Sequence, residues 1–170
     1  MPEDAISTDR MTLRDYVDRL CNKPILASTA MYGPWRPDGV FDVDSYRNLV
    51  REVMEHDSVP ATNVDTTWAQ YNDWPTALAI IRETAAVAVD FDGRFADNRP
   101  LMVVGLNTNN DELTIDKVPQ AVREKVQAVT DAVQPAGVER VRFMPVPDRR
   151  LIGASTDEKV RVYREIGRIV

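Results

Sequence analysis

One run of chemically able side chains in the 170-residue sequence is Asp65-Thr66-Thr67-Trp68. It sets a carboxylate, two adjacent hydroxyls and an indole directly after an apolar stretch, Val59 to Val64, of strand length. The plainest reading of Thr66 and Thr67 is as turn residues leaving that strand, and of Asp65 as a capping carboxylate. Trp68, Tyr71 and Trp74 follow closely and would form either an aromatic wall over a substrate or a cover for the rim of the fold. A second polar group, Asn107, Asn109 and Asn110, follows the apolar run Leu101–Gly105. Asparagines at that point favour turn chemistry over ligand binding. Arg149 and Arg150 could hold a substrate carboxylate or phosphate, although exposed loop arginines are commoner. Asp65 and Asp148, two carboxylates without a histidine, could hold Mg²⁺ only with waters.

Much other chemistry is excluded by counting. One cysteine, Cys21, allows no internal disulfide and no cysteine-cluster zinc site, and reads as a small packing residue near a helix end. One histidine, His56, allows no multi-histidine metal site and reads as a favourable charge at a helix end. The pair Asp111-Glu112 reads as solvated loop charge. No metal and no cofactor is expected. The 21 Lys and Arg against 27 Asp and Glu give a net charge of −6, a poor balance for tracking a phosphate backbone, so no nucleic-acid partner is expected. No apolar run approaches the roughly 18 residues of a membrane span, and Met1–Arg10 lacks a basic-then-apolar signal pattern. A soluble, cytoplasmic protein is the expectation. Apolar residues at 44 % and charged residues at 28 % are an ordinary globular balance, enough for a real core.

The elements that must position these residues alternate. Leu13, Tyr16, Val17 and Leu20 form a helical stripe ended by Asn22, Lys23 and Pro24, and Ile25–Ala27 is a short strand. After the turn-rich Gly33–Gly39, Asp44 can cap a helix whose Tyr46, Leu49, Val50, Val53 and Met54 share a face. Val59–Val64 is a strand with Pro60 near its start. Pro75 opens a helix, and Gly93 to Pro100 breaks the chain. Leu101–Gly105 is a strand apolar on both faces. Val118 to Val133 is a helix stopped by Pro135-Ala136-Gly137, and Val141–Met144 is a strand. Ser155 with Glu158 has capping-box spacing, and Val162, Tyr163, Ile166 and Ile169 carry a final helix to the end. Strands alternating with helices imply parallel βαβ units with right-handed crossovers. That leaves an open doubly wound sheet or half of a (β/α)8 barrel, whose full form needs about 250 residues. No loop carries G-x-G-x-x-G or G-x-x-x-x-G-K-[ST], so a nucleotide-binding sheet has little support.

Local sequences add a resemblance. Lys23–Ala27, the Pro34-Trp35 loop, Asp38-Gly39-Val40-Phe41-Asp42-Val43-Asp44 and Tyr46–Val50 resemble the first βα unit of the dihydrodipicolinate synthase/N-acetylneuraminate lyase family. Asp65-Thr66-Thr67-Trp68-Ala69 is similar to the family's Gly-Thr-Thr-Gly-Glu, with both glycines and the glutamate replaced. Phe143-Met144-Pro145, then Ser155, Asp157, Glu158 and Val162–Glu165, resemble its fourth unit, with Pro145-Val146-Pro147 in place of Pro-Tyr-Tyr. The likeness runs in order over 23–170.

This resemblance implies the N-terminal half of a TIM (β/α)8 barrel over 23–170, preceded by a tail and helix in 1–22. It also implies class I aldolase-type carbon–carbon lyase chemistry on pyruvate or another 2-oxo acid, with a lysine Schiff base as electron sink. Thr66 takes the family's proton-relay position and Thr67 helps grip the substrate carboxylate, at the strand end where barrel sites lie. Asp65, Asn107 and Trp68 are further candidates beside them. The family's Schiff-base lysine falls beyond the fourth helix. Lys23, Lys117, Lys125 and Lys159 fall before a strand or on helices, where an exposed lysine keeps a pKa near 10.4 and is a poor nucleophile. The sequence by itself is therefore not expected to catalyse the family reaction. Four parallel strands also leave two open edges, so a homo-oligomer is expected. The expectation is either the front half of a longer protein or a half-barrel that pairs with another; the alternative function is a non-catalytic interaction or scaffold subunit.

Overall fold

The computed structural model describes residues 27–64, 73–95, 99–109 and 112–170. The expected first helix, the 1–22 segment, and Ile25 and Leu26 of the expected first strand lie outside them. Among the described residues, four strands form one parallel sheet: β1 (Ser28–Ala30), β2 (Val59–Thr62), β3 (Met102–Leu106) and β4 (Val141–Pro145), in the spatial order β1-β2-β3-β4. Between and after them come α1 (Val43–Glu55), α2 (Trp74–Ala88), α3 (Val118–Val133) and α4 (Thr156–Ile166). A doubly wound sheet reverses its strand order at a switch point; this one does not, and all four helices add to one face. The arrangement is that of consecutive barrel units.

Several boundaries correct the sequence reading: β2 ends at Thr62 and not Val64, β3 is shifted by one residue from Leu101–Gly105, and β4 runs one residue past Met144. The first strand lies at Ser28–Ala30, after the expected Ile25–Ala27, because pairing with β2 sets it: Ser28 opposes Val59 and Ala30 opposes Ala61. The cap of α1 is Asp42, whose carboxylate accepts the Ser45 N–H at 3.1 Å; Asp44 lies in the first turn. The other signals behave as their chemistry dictates. Asp73 caps α2 with Pro75 in its first turn. Gly137 ends the α3 region in the left-handed conformation at φ 77°. Ser155 and Glu158 form the reciprocal capping box. The last helix stops at Ile166, short of Ile169.

Register and the two-residue alternation of strands sort the side chains into two faces. Met102, Val104, Leu106, Val141 and Phe143 join the core with Tyr46, Val50 and Met54 of α1, Ile80 and Ile81 of α2, Val122 and Val129 of α3, and Val162 and Ile166 of α4. The Tyr46 hydroxyl ends this layer against Thr84 at 2.9 Å and Thr62 at 3.3 Å. The opposite face, which would line a barrel interior, carries Ser28, Ala30, Val59, Ala61, Val103, Gly105, Arg142 and Met144. Pro60 fits a central strand because the β2–β3 register begins one residue later, at Ala61 opposite Val103.

β2 ends at a specific contact. Asn63 adopts the left-handed conformation (φ 54°), donates its side-chain amide to the Gly105 carbonyl at 2.8 Å, and turns its own carbonyl against the Gly105 α-carbon. A Cβ at Gly105 would lie 2.0 Å from that oxygen, so only glycine fits there. Gly105→Ala is expected to cost about 3 kcal/mol or more in urea unfolding, whereas Gly153→Ala, which meets open space, should change stability by less than about 0.5 kcal/mol.

Candidate functional site

The C-terminal ends of the four strands face one way, and the loops leaving them form the mouth where a barrel of this kind carries its chemistry. β1 runs into Met31 and the exposed Tyr32. β2 runs through Asn63 and Val64, both buried, to the point where Asp65 follows. β3 runs into Asn107, Thr108 and Asn109, and β4 into Val146, Pro147 and Asp148. Four of the five candidate residues, Asp65, Thr66, Thr67 and Trp68, lie outside the described residues, as do Tyr71, Asn110 and Asp111.

Asn107 is buried, and its side-chain oxygen accepts the Asn109 backbone N–H at 2.9 Å. This is the turn chemistry expected of asparagine after a strand. Asn109 then spans to the next loop: its amide donates to the Pro147 carbonyl at 3.1 Å and its oxygen accepts the Arg149 N–H at 2.7 Å. The β3 and β4 loops are thereby tied together across the mouth.

Beneath them sits a buried ion pair that sequence reasoning missed. The Asp148 side chain is only 2 % exposed. It accepts from the Thr108 hydroxyl at 2.7 Å, and from the Arg150 guanidinium at 2.8 and 2.6 Å in a two-pronged pairing. It also caps the turn Arg149–Leu151 through the Arg150 N–H at 2.8 Å. Arg150 reaches on to the Thr108 and Leu113 carbonyls. Arg150 is therefore an internal strut and not an exposed loop cation, because the carboxylate two residues before it captures it. The same capture engages Asp148, which the sequence had offered as a magnesium ligand. The signal was legible as the Asp-x-Arg spacing after a strand. Burial pushes the Asp148 carboxyl up, but hydrogen bonds from Arg150 and Thr108, with the Arg150 charge, outweigh it and hold the group below the usual carboxylate range. Among the described residues, no group of three His, Cys, Asp or Glu side chains could hold a metal ion.

The described lysines sit in or before the helical layer, and Lys23 lies outside the described residues. Lys117 precedes α3 and Lys159 lies on α4. Lys125, expected on a helical surface, is only 8 % exposed. Its ammonium lies 4.3 Å from the centre of the Trp74 ring, a cation–π contact between α2 and α3. Trp74 thus belongs to α2 and its packing. His56 is the C-cap residue of α1, at the helix end foreseen for it.

No family model matches the sequence, and no curated relative matches it. Solved structures do. A putative dihydrodipicolinate synthetase from Pseudomonas aeruginosa superposes with a TM-score of 0.57 at 15 % identity, over 87 % of this chain and 43 % of its own. Dihydrodipicolinate synthase from Bacillus clausii gives 0.55 at 17 %, over 83 % of this chain and 40 % of its own. The enzyme from Bacillus anthracis gives 0.56 at 18 %, over 85 % and 42 %. The likeness is one of fold: this chain has the architecture of the N-terminal part of their TIM barrel, and spans well under half their length. No helix among the described residues is long and apolar enough to cross a membrane.

Because the folded-state pKa of Asp148 is depressed, its stabilisation is present above the unfolded value of about 3.9 and is lost as pH falls through the folded value. Asp148→Asn should therefore cost about 3 kcal/mol at neutral pH by leaving Arg150 without its carboxylate. Thermal melts of both proteins from pH 7 downward should show the gap constant above about pH 5 and closing below about pH 4.

Proposed function

We propose that this chain forms the substrate-gripping half of a carbon–carbon lyase of the dihydrodipicolinate synthase/N-acetylneuraminate lyase family. Its substrate is pyruvate or another 2-oxo acid. Thr67 helps bind the substrate carboxylate and Thr66 hands on a proton. The Schiff base forms on a lysine outside these 170 residues. A homo-oligomer in the cytoplasm is the setting that goes with this reading.

The observation that carries the proposal is the joint order of fold and motif. The Thr66-Thr67 pair follows the strand that occupies the second position in a sheet like that of the synthases, at its C-terminal end. Placing the nucleophile elsewhere has a physical basis among the described residues. The lysine of a class I aldolase must reach the barrel interior, and the inward positions of this sheet are Ser28, Ala30, Val59, Ala61, Val103, Gly105, Arg142 and Met144. Arg142 is permanently protonated and cannot attack a carbonyl. Asp148 and Arg150 are tied to each other, so they stiffen the mouth and leave the reacting carbon to other groups. The second reading, a non-catalytic half-barrel acting as an interaction subunit, draws on the large apolar side chains exposed, among the described residues, after β1 and on and after β4.

The test is covalent trapping. The protein as its native source makes it is incubated with pyruvate and borohydride, digested, and mapped by mass spectrometry. The lyase reading expects a reduced pyruvate adduct on a lysine beyond residue 170, lost on Thr67→Val. Absence of any adduct removes the Schiff-base mechanism, and an adduct on Lys125 would overturn the division of labour.

A further inference from the structure

The C-terminal end of β1 places at the mouth a side chain that the lyase reading has not used. Ser28 and Ala30 face inward, and Met31 turns the other way into the helix-side core. The ladder continues past the last strand residue, since the Met31 N–H donates to the Ala61 carbonyl at 2.9 Å. By the two-residue alternation of strands, Tyr32 is the next inward position. It is 65 % exposed. Two small inward residues are thus followed, at the mouth, by a large one with a hydroxyl at its tip.

The backbone on either side of Tyr32 is held. Met31 before it is buried. After Gly33 the chain folds into a short hairpin: the Asp42 N–H donates to the Pro34 carbonyl and the Arg36 N–H to the Val40 carbonyl, both at 2.8 Å. Trp35 meets Phe41 edge-on at 5.2 Å, and Phe41 lies 5.2 Å from the buried Tyr46 ring. On the neighbouring strand, the register that sets Ala30 opposite Ala61 brings Tyr32 level with Asn63, where the chain leaves β2 for Asp65-Thr66-Thr67. Other polar side chains of the inward face and mouth are engaged: the Ser28 hydroxyl with the Val59 carbonyl, the Asn63 amide with the Gly105 carbonyl, the Thr108 hydroxyl with Asp148, and Asn109 with the β4 loop. The Tyr32 phenol has no hydrogen-bond partner among the described residues.

We propose that Tyr32 is a substrate-binding residue of this site: its phenol donates a hydrogen bond to the carboxylate of the 2-oxo acid from the β1 side, in addition to the grip proposed for Thr67 after β2. The inference rests on the lyase reading and deepens it, by naming a donor on a second strand for the same carboxylate. A hydroxyl that donates to an ionised carboxylate makes a charge-assisted bond, stronger than one between neutral groups. Arg150 does not supply this contact, because its guanidinium is bound to Asp148. A tyrosine side chain has few rotatable bonds, and the buried Met31 and the hairpin fix the backbone around it. Little conformational freedom is therefore lost when the phenol takes its acceptor.

The test follows the rate of borohydride trapping over a series of pyruvate concentrations, on the protein as its native source makes it. Three forms are compared: the parent, Tyr32→Phe, and Tyr163→Phe, which alters an exposed tyrosine on α4. Tyr32→Phe keeps the ring and removes only the hydroxyl. It should raise the pyruvate concentration for half-maximal rate about tenfold, the effect of one hydrogen bond to a charged group. Its maximal rate and melting temperature should equal those of the parent, and Tyr163→Phe should match the parent throughout. An unchanged half-maximal concentration in Tyr32→Phe overturns this assignment and leaves the lyase reading standing. A lowered melting temperature in Tyr32→Phe overturns it too, because the hydroxyl would then be supporting the fold. A parent that gives no adduct removes the lyase reading and this assignment together.

Discussion

The contact between the Asn63 carbonyl and the bare α-carbon of Gly105 decides where β2 stops and which way the chain leaves it. A side chain at position 105 would force the β2 and β3 ends apart, at the point where the chain enters Asp65-Thr66-Thr67. The left-handed turn at Asn63 is strained for most side chains, but asparagine tolerates it, and here its amide is repaid by the Gly105 carbonyl. The chain leaves the two central strands from this pair of residues.

The central strands are also held at both ends. At the C-terminal mouth, Asp148, Arg150, Thr108 and Asn109 bind the β3 and β4 loops into one body. At the opposite end, Arg140 pairs with Asp92 and donates to the Arg99 carbonyl, while Arg99 stacks on Phe95 and reaches the Asp57 carbonyl. These two networks rely on arginine, whose planar fork can satisfy several carbonyls and carboxylates together. The middle of the half-barrel is thereby braced above and below.

Much of this was legible. Alternating apolar runs, Pro75, Gly137 and the Ser155–Glu158 box marked elements whose boundaries follow local chemistry, and the strand order followed from the parallel connections. What local patterns could not carry was anything decided between distant residues. The start of β1 depends on Val59, 31 positions after Ser28, through a register that no short window contains. Asp42 and Asp44 are equally good caps by type, and only the path out of the Pro34 turn chooses between them: the Asp42 N–H donates to the Pro34 carbonyl at 2.8 Å. Lys125 looked like a surface lysine because its neighbours on α3 are charged, and its burial comes from Trp74 on another helix. Within the candidate site, Asn107 behaved as its residue type suggested, while Arg150 did not, because the Asp148 partner outranks solvent once both are enclosed.

The composition of the inward face carries the argument one step further. A barrel interior is a packed stack of side chains drawn from alternate strands, and not a pore. Here Ser28, Ala30, Ala61 and Gly105 supply almost no volume, and β4 adds Arg142 and Met144 only at one edge. Four strands with so little inward bulk cannot fill a ring by themselves, yet Val59 and Ala61 at the centre are already buried. In a full ring of this kind the remaining volume comes from the strands opposite, which carry large residues where this sheet is small. Among the described residues, the inward positions that would meet those strands carry no lysine.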